Sequence, residues 1–201
     1  MTDLDIGTTE TDICSGCTAH NGFWNSWVDA RDRVLSCVKE TSMKYPAYQI
    51  AVAGHSLGGA IATLAAAHLR NSGYNATLYS FGSPRIGGTK ISTYITNQTG
   101  GNYRITHWND PVPRMPLVIM GYVHISPEYY INKPNNQEVQ CNDIKKYEGA
   151  VNFKGNSAWI VVDVQAHEWY FDNVATCDAK KTKRGLELRA LQSSVEILDT
   201  F

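Results

Sequence analysis

The chain has 201 residues, a formal net charge of −1 and 43% hydrophobic residues, which is typical of one domain with a substantial core. The near-neutral charge argues against a nucleic-acid partner, because the only basic run, at 180–184, has no interleaved aromatic residues. No apolar stretch reaches the ~18 residues of a transmembrane helix, and residues 1–5 lack the basic and apolar parts of a signal peptide.

The first predicted element is an amphipathic helix over about 23–43, followed by a buried strand over 48–53. The apolar positions of the helix recur at helical spacing and are Phe23, Trp27, Ala30, Val34 and Val38. Cys37 lies on or beside this apolar stripe. We therefore expect a buried, unreactive thiol at Cys37.

A glycine-rich turn with a central serine follows the strand. Residues 54–58, Gly-His-Ser-Leu-Gly, fit the G-x-S-x-G pattern, and an Ala- and Leu-rich stretch over 57–70 predicts the helix that must follow. In such a nucleophile elbow a sharp turn exposes the serine oxygen at the carboxyl edge of a sheet. We expect Gly54 and Gly58 to be required, because a side chain at either would collide with the neighbouring backbone. Ser56 is the predicted nucleophile.

Strands and helices continue to alternate after the elbow. The sequence predicts a strand over 77–82, a short helix over 89–97, a strand over 103–107, and strand-like segments near 122–131 and 158–162. This alternation predicts a mostly parallel central sheet flanked by helices, with the site at the carboxyl ends of the strands. Together with the elbow, it indicates the α/β-hydrolase fold.

A serine nucleophile needs a histidine base, which in α/β hydrolases comes later in the chain than the serine. Four histidines follow Ser56: His68, His107, His124 and His167. His68 lies within the helix after the elbow, and His107 ends a predicted strand. His167 lies in a loop before an aromatic segment and is the best candidate for the base.

Two aspartates are candidates for the acid that orients this histidine. Asp110 directly follows the predicted strand over 103–107, and Pro111 and Pro113 stiffen the loop that holds it. Asp163 lies four residues before His167, where capping the following turn is a more natural role. We favour Asp110, because such acids usually follow a strand. Asp163 is the alternative.

These motifs resemble the fungal class 3 lipases, the group that includes the Thermomyces and Rhizomucor lipases and the related feruloyl esterases. Beyond the elbow, the resemblance rests on residues 12–17, 20–23, 79–87, 103–107, 109–114, 126–129 and 166–171. It places the family's nucleophile, acid and base on Ser56, Asp110 and His167. One oxyanion-hole donor falls on the backbone N–H of Leu57. The resemblance implies a lipase-like α/β-hydrolase domain over 1–177.

The resemblance also implies differences from the family at both ends. We expect the early strands, the lid helix and the second oxyanion-hole donor of the family to be missing upstream. Residues 178–201 are expected to form an atypical tail, in which Leu188, Leu191, Val195 and Leu198 at helical spacing predict a docking helix.

The chain has five cysteines, an odd number for a secreted domain. The resemblance implies a short disulfide between Cys14 and Cys17. It also leaves Cys177 as a free thiol, because its partner in the family is upstream. The pairing of Cys37 and Cys141 stays open.

The function that the resemblance implies is carboxylic ester hydrolysis, foremost triacylglycerol lipase activity at a lipid–water interface, through an acyl-enzyme and without cofactor or metal. A feruloyl or other carboxylesterase and a catalytically silent relative are the alternatives. Apolar residues that follow the acid could line an acyl groove or pack in the core, and they are Pro113, Met115, Pro116, Leu117, Val118, Ile119 and Met120.

The family is secreted, so the resemblance implies an extracellular protein. Two segments, beginning at Asn75 and Asn97, fit the N-glycosylation pattern and agree with that location.

Overall fold

The computed structural model describes residues 7–174 of the chain. Its helices are α1 (Asn21–Lys44), α2 (Leu57–Asn71) and α3 (Thr89–Asn97). Its strands are β1 (Thr8–Thr11), β2 (Cys17–His20), β3 (Ile50–His55), β4 (Ala76–Phe81), β5 (Asn102–His107), β6 (Glu128–Ile131), β7 (Ile144–Tyr147), β8 (Trp169–Tyr170) and β9 (Asp172–Asn173). Cys177 and the predicted tail helix lie outside the described residues.

The central sheet has the strand order β3-β4-β5-β6-β7. The first four strands are parallel to one another, and β7 is antiparallel to β6. Helices connect β3 to β4 and β4 to β5, as the alternation of apolar segments predicts. The mostly parallel sheet with flanking helices is confirmed, and the carboxyl ends of β3, β4 and β5 meet at one edge of it.

Helix and sheet packing follows from the alternation of side chains along the strands. Leu78 of β4 packs with α2 in one apolar cluster, whereas its neighbour Tyr79 faces a second cluster on the other side of the sheet. Helix α2 is apolar on most of its surface because it packs on β3, β4 and α1 at once. The sheet therefore has a core on each face and holds the elbow between β3 and α2 firmly.

Helix α1 is longer than the helix on which it packs. It has 24 residues and α2 has 15, so that at 1.5 Å per residue it is about 36 Å long against about 22 Å. Its buried side chains, Trp24 and Trp27, lie in its first turns. The prediction of a buried thiol at Cys37 was wrong: Cys37 is free and exposed, and it lies in the part of α1 beyond these buried side chains.

The strands of the structure differ from the predicted strands in two places. Residues 158–162 were expected to be strand-like, but Ala158 ends a 3-10 helix at Asn156–Ala158. Residues 159–162 then form an irregular surface segment in which Ile160 is 97% exposed. Strand β7 was not predicted, because the two central lysines of Ile144–Tyr147 conceal its apolar character. A short apolar run does not by itself show whether it is buried.

Within residues 7–174, β3 pairs with β4 alone, so its other edge carries no strand in this range. Alternate side chains of β3, those of Ala51 and Ala53, are exposed. Cys14 and Cys17 form the expected disulfide, which closes the turn between β1 and β2. Over the same residues, none of the helices is long and apolar enough to cross a membrane.

Candidate active site

The turn between β3 and α2 holds Ser56 in a conformation that is uncommon for a residue with a side chain. Its φ is 57° and its ψ is −128°. A positive φ in a non-glycine residue stores strain and is found mainly at functional sites. The N–H of Ser56 donates to the carbonyl of Phe81 at 2.9 Å, which ties the turn to the end of β4.

The glycines around Ser56 make this tight turn possible. A Cβ at Gly54 would lie 2.2 Å from the carbonyl oxygen of Gly58, and one at Gly59 would lie 2.9 Å from Cβ of Ser83. A Cβ at Gly58 would meet nothing within 4 Å. The predicted requirement for glycine is confirmed at Gly54 but was wrong at Gly58. The backbone of Gly58 lies against Gly54, whereas the position of a Cβ on Gly58 is open.

Ser56, His167 and Asp110 form a continuous hydrogen-bonded chain. Nε2 of His167 lies 2.8 Å from Oγ of Ser56, and Nδ1 lies 2.9 Å from Oδ2 of Asp110. A carboxylate can only accept, so Nδ1 carries the proton and Nε2 is free to accept from the serine hydroxyl. This is the tautomer needed to take a proton from Ser56.

The carboxylate of Asp110 is fully buried and hydrogen-bonded at both oxygens. Oδ1 accepts the N–H of Val112 at 2.8 Å, and Oδ2 also accepts the hydroxyl of Tyr170 at 2.6 Å. Burial, and next to it the charge of Asp110, raises the pKa of Tyr170 well above its ordinary value, so the phenol stays protonated and donates. These donors satisfy the hydrogen-bonding needs of the buried carboxyl group and fix its direction.

The loop that carries the acid is held by an amide side chain that the sequence did not single out. Nδ2 of Asn156 donates to the carbonyl oxygens of Trp108, at 3.1 Å, and Asp110, at 2.9 Å. Asn156 is buried, and its own N–H is 3.3 Å from a carboxylate oxygen of Glu128. The acid loop is thereby connected to the buried carboxyl group of Glu128 in β6.

Asp163 has the structural role that the sequence favours. Its Oδ1 accepts the N–H of Gln165 at 2.9 Å, and its Oδ2 accepts the amide of Asn135 at 2.8 Å. It is thus the N-cap of the 3-10 helix Val164–Glu168, which carries His167.

The other three histidines after Ser56 form hydrogen bonds with partners other than Ser56 and Asp110. Nδ1 of His68 accepts the indole N–H of Trp27 at 3.0 Å, and its Nε2 lies 3.1 Å from Asp12. His124 is buried, with Nε2 2.6 Å from the carbonyl of Pro113, and burial lowers its pKa well below the ordinary value. His107 is fully buried and contacts the carbonyls of Ala166 and Lys133.

Leu57 is the first residue of α2. The N–H groups of a first helical turn have no acceptor within the helix and lie at the positive end of its dipole. The Leu57 N–H is therefore available to a developing negative charge beside Ser56.

The apolar run after the acid is divided between core and surface. Pro113 and Pro116 are buried, whereas the exposed side chains are those of Met115, Leu117, Ile119 and Met120. Arg114 donates to the carbonyl of Trp159 at 2.6 Å, which connects this run to the exposed apolar segment that includes Ile160. Packing in the core is thus confirmed for Pro113 and Pro116, whereas an acyl groove lined by the exposed side chains stays a prediction.

The class 3 lipase family matches residues 1–120 of this chain. The chain is 49% identical over 178 residues to the secreted mono- and diacylglycerol lipase A of Penicillium cyclopium, covering 87% of this chain and 58% of that protein. A solved mono- and diacylglycerol lipase from Aspergillus oryzae superposes with a TM-score of 0.82 at 46% identity, covering 86% of this chain and 65% of the other.

The triacylglyceride lipase of Rhizomucor miehei superposes with a TM-score of 0.75 at 29% identity, over 85% of this chain and 65% of that one. The chain therefore spans less than two thirds of the length of each of these proteins.

Proposed function

Since this chain belongs to the class 3 lipase family, we propose that it hydrolyses carboxylic esters through an acyl-enzyme formed on Ser56. The observation that carries the proposal is the chain of hydrogen bonds from Ser56 through His167 to Asp110, built on a strained elbow. A strained backbone at Ser56, a fully buried acid and an oriented imidazole together are costly features that a purely structural serine does not need.

In the proposed reaction, Oγ of Ser56 attacks the ester carbonyl while Nε2 of His167 takes its proton. Asp110 stabilises the imidazolium, and the N–H of Leu57 donates to the oxyanion of the tetrahedral intermediate. His167 then returns the proton to the departing alcohol. Water repeats the sequence in the second half and releases the carboxylic acid.

We propose acylglycerols at a lipid–water interface as the substrate class. The relatives are named as lipases of mono- and diacylglycerols or of triacylglycerides. The exposed apolar side chains of Met115, Leu117 and Ile119, which follow the acid loop, support an acyl chain or a lipid surface as the neighbour of the site.

The test compares the chain with its Ser56→Ala variant. The unchanged chain should hydrolyse a short p-nitrophenyl ester, incorporate one serine-directed phosphonate and release fatty acid from mono-, di- and triacylglycerol emulsions. Ser56→Ala should lose all of these activities and keep its circular dichroism spectrum. A folded chain that neither hydrolyses nor incorporates the phosphonate would instead be a catalytically silent relative.

The extracellular location is part of the same proposal, supported by relatives that are named as secreted. Asn75 and Asn97 are both exposed and both precede the required threonine by two positions. We propose that both carry N-glycans in a eukaryotic host. A loss of mass on glycosidase treatment, reduced stepwise in Asn75→Gln and Asn97→Gln, is the expected result.

A further inference from the structure

The proposed base is carried by a very short element. His167 lies in the 3-10 helix Val164–Glu168, here called the base helix. Helices of this type have poor hydrogen-bond geometry, and the last carbonyls of any helix lack partners within it. Ala166 and His167 lie in that last turn. The position of the His167 imidazole therefore depends on contacts from outside the base helix.

Two other histidines provide those contacts. Nε2 of His55 lies 2.8 Å from the carbonyl oxygen of His167, and Nδ1 of His107 lies 2.9 Å from the carbonyl oxygen of Ala166. A carbonyl can only accept, so a hydrogen bond requires the proton on these ring nitrogens. The peptide groups on both sides of the His167 Cα are thus met by imidazole nitrogens.

These imidazoles project from a rigid support. His55 is the last residue of β3 and His107 is the last residue of β5, with β4 between the two strands. Gly82 directly follows β4, and a Cβ there would lie 3.1 Å from the ring of His167. The base helix therefore rests on the ends of three adjacent parallel strands, one of which also leads into Ser56.

We propose that His55 and His107 are positioning residues for His167, which hold the base helix so that Nε2 of His167 meets Oγ of Ser56. The proposal rests on the function proposed above, in which His167 takes the proton of Ser56. A displacement of about 1 Å can reduce turnover by ~10²-fold, whereas binding of a small ester does not depend on the imidazole position. Loss of either donor should therefore lower kcat and leave KM nearly unchanged.

The protonation of the two rings decides which nitrogens can donate. Burial lowers the pKa of both His55 and His107, which favours neutral rings with one N–H each. Nε2 of His107 lies 2.8 Å from the carbonyl of Lys133, so a neutral ring can donate to only one of its two carbonyls. The proposal assigns the proton of His107 to Nδ1 and that of His55 to Nε2.

Amide side chains can replace one ring nitrogen at a time. Glutamine places an N–H near the position of Nε2, and asparagine places one near Nδ1. His55→Gln and His107→Asn keep the donors that the proposal requires. His55→Asn and His107→Gln remove those donors while keeping an amide of related size.

The measured quantities are kcat and KM for a soluble p-nitrophenyl ester and the rate of phosphonate labelling of Ser56. We expect kcat and the labelling rate to fall ~10- to 100-fold in His55→Asn and His107→Gln, with KM within about twofold. His55→Gln and His107→Asn should recover most of the loss. His68→Gln removes a half-buried imidazole that is bonded to Trp27 near the far end of α2, so it controls for the loss of a histidine ring away from His167.

Equal losses in the two variants at each position would overturn the proposal, because they would show that ring packing rather than the donor matters. So would a donor-removing variant with unchanged kcat and labelling. If a variant fails to fold, ¹⁵N-imidazole NMR spectra of the unchanged chain provide the test. These spectra must show the proton of His55 on Nε2 and that of His107 on Nδ1. The opposite tautomers would refute the proposal. Persistent hydrolysis in Ser56→Ala would refute the proposed function instead.

Discussion

Tyr170 donates a hydrogen bond of 2.6 Å to Oδ2 of Asp110, the same oxygen that lies 2.9 Å from Nδ1 of His167. The phenol and the imidazole therefore share one oxygen of a carboxylate that is fully buried. Tyr170 fixes the direction in which Asp110 presents this oxygen. Tyr170 therefore orients the carboxylate before any substrate binds.

Replacing Tyr170 by Phe should weaken both stability and turnover. A hydrogen bond to a buried charge contributes about 1.5–3 kcal/mol, and its loss leaves the carboxylate freer to turn away from the imidazole. We expect a fall of ~10-fold in kcat/KM for a soluble ester and a lower free energy of unfolding in urea. Tyr130→Phe is the matched control, since its hydroxyl accepts only the indole N–H of Trp159, at 2.7 Å, among the hydrogen bonds described. Equal loss of turnover in both variants would contradict this role of Tyr170.

Asp110→Asn and Asp163→Asn should separate catalysis from capping. An amide at 110 stabilises the wrong tautomer of His167, so kcat should fall by up to ~10⁴-fold with the fold retained. Asp163 accepts from Gln165 and Asn135. An asparagine oxygen can still cap Gln165, but its NH2 group would face the NH2 group of Asn135, so Asp163→Asn should cost about 1 kcal/mol of stability with a much smaller change in kcat. The comparison uses initial rates at matched fractions of folded protein. A larger loss of turnover in Asp163→Asn would exchange the two roles.

The sequence predicts the parts of this site that lie directly after strands. Ser56 and Asp110 were identifiable because turn glycines and prolines mark the ends of β3 and β5 by local chemistry. His167 could be selected among four histidines because it alone follows the acid in a loop near an aromatic segment. Local patterns therefore predict the three groups that the structure brings together in one hydrogen-bonded chain.

The supporting contacts were not predictable in the same way. Tyr170 is one of eleven tyrosines, and nothing in its neighbourhood shows that its hydroxyl meets an aspartate sixty residues earlier in the chain. Asn156 likewise meets Asp110 only because the segment after β7 returns across the end of β5. Such contacts depend on the path of loops, which hydrophobic periodicity does not encode.

The glycines of the elbow should differ sharply in their tolerance of alanine. Gly54→Ala would place Cβ 2.2 Å from the backbone oxygen of Gly58, a clash that a rigid sheet cannot relieve, so we expect a loss of several kcal/mol or failure to fold. Gly58→Ala meets nothing within 4 Å and lies in α2, where alanine is favoured by about 1 kcal/mol. Thermal unfolding of both variants measures the difference. Comparable destabilisation by the two substitutions would show that the turn is packed differently.

Buried histidines should make the protein sensitive to mild acid. His124 is buried beside Arg104 and Arg85, and burial, followed by these two charges, lowers its pKa well below the ordinary 6.5. Below about pH 6.5, His124 therefore binds a proton in the unfolded chain but not in the folded chain. Protonation stabilises the unfolded state, so the free energy of unfolding falls as the pH falls. The limiting slope is ~1.4 kcal/mol per pH unit for this one group.

Urea unfolding at several pH values between about 7 and 5 tests this expectation. This window lies above the ordinary pKa values of carboxylates, so their contribution is small. His124→Gln keeps an N–H near the position of Nε2 for the carbonyl of Pro113, but its side chain cannot titrate. The free energy of unfolding should therefore depend less steeply on pH in this variant, by a difference equivalent to about one proton taken up on unfolding. His55, His68 and His107 also have pKa values lowered by burial and should leave a residual slope in this variant. An identical pH dependence in His124→Gln and the unchanged chain would mean that folding does not lower the pKa of His124, which would contradict this expectation.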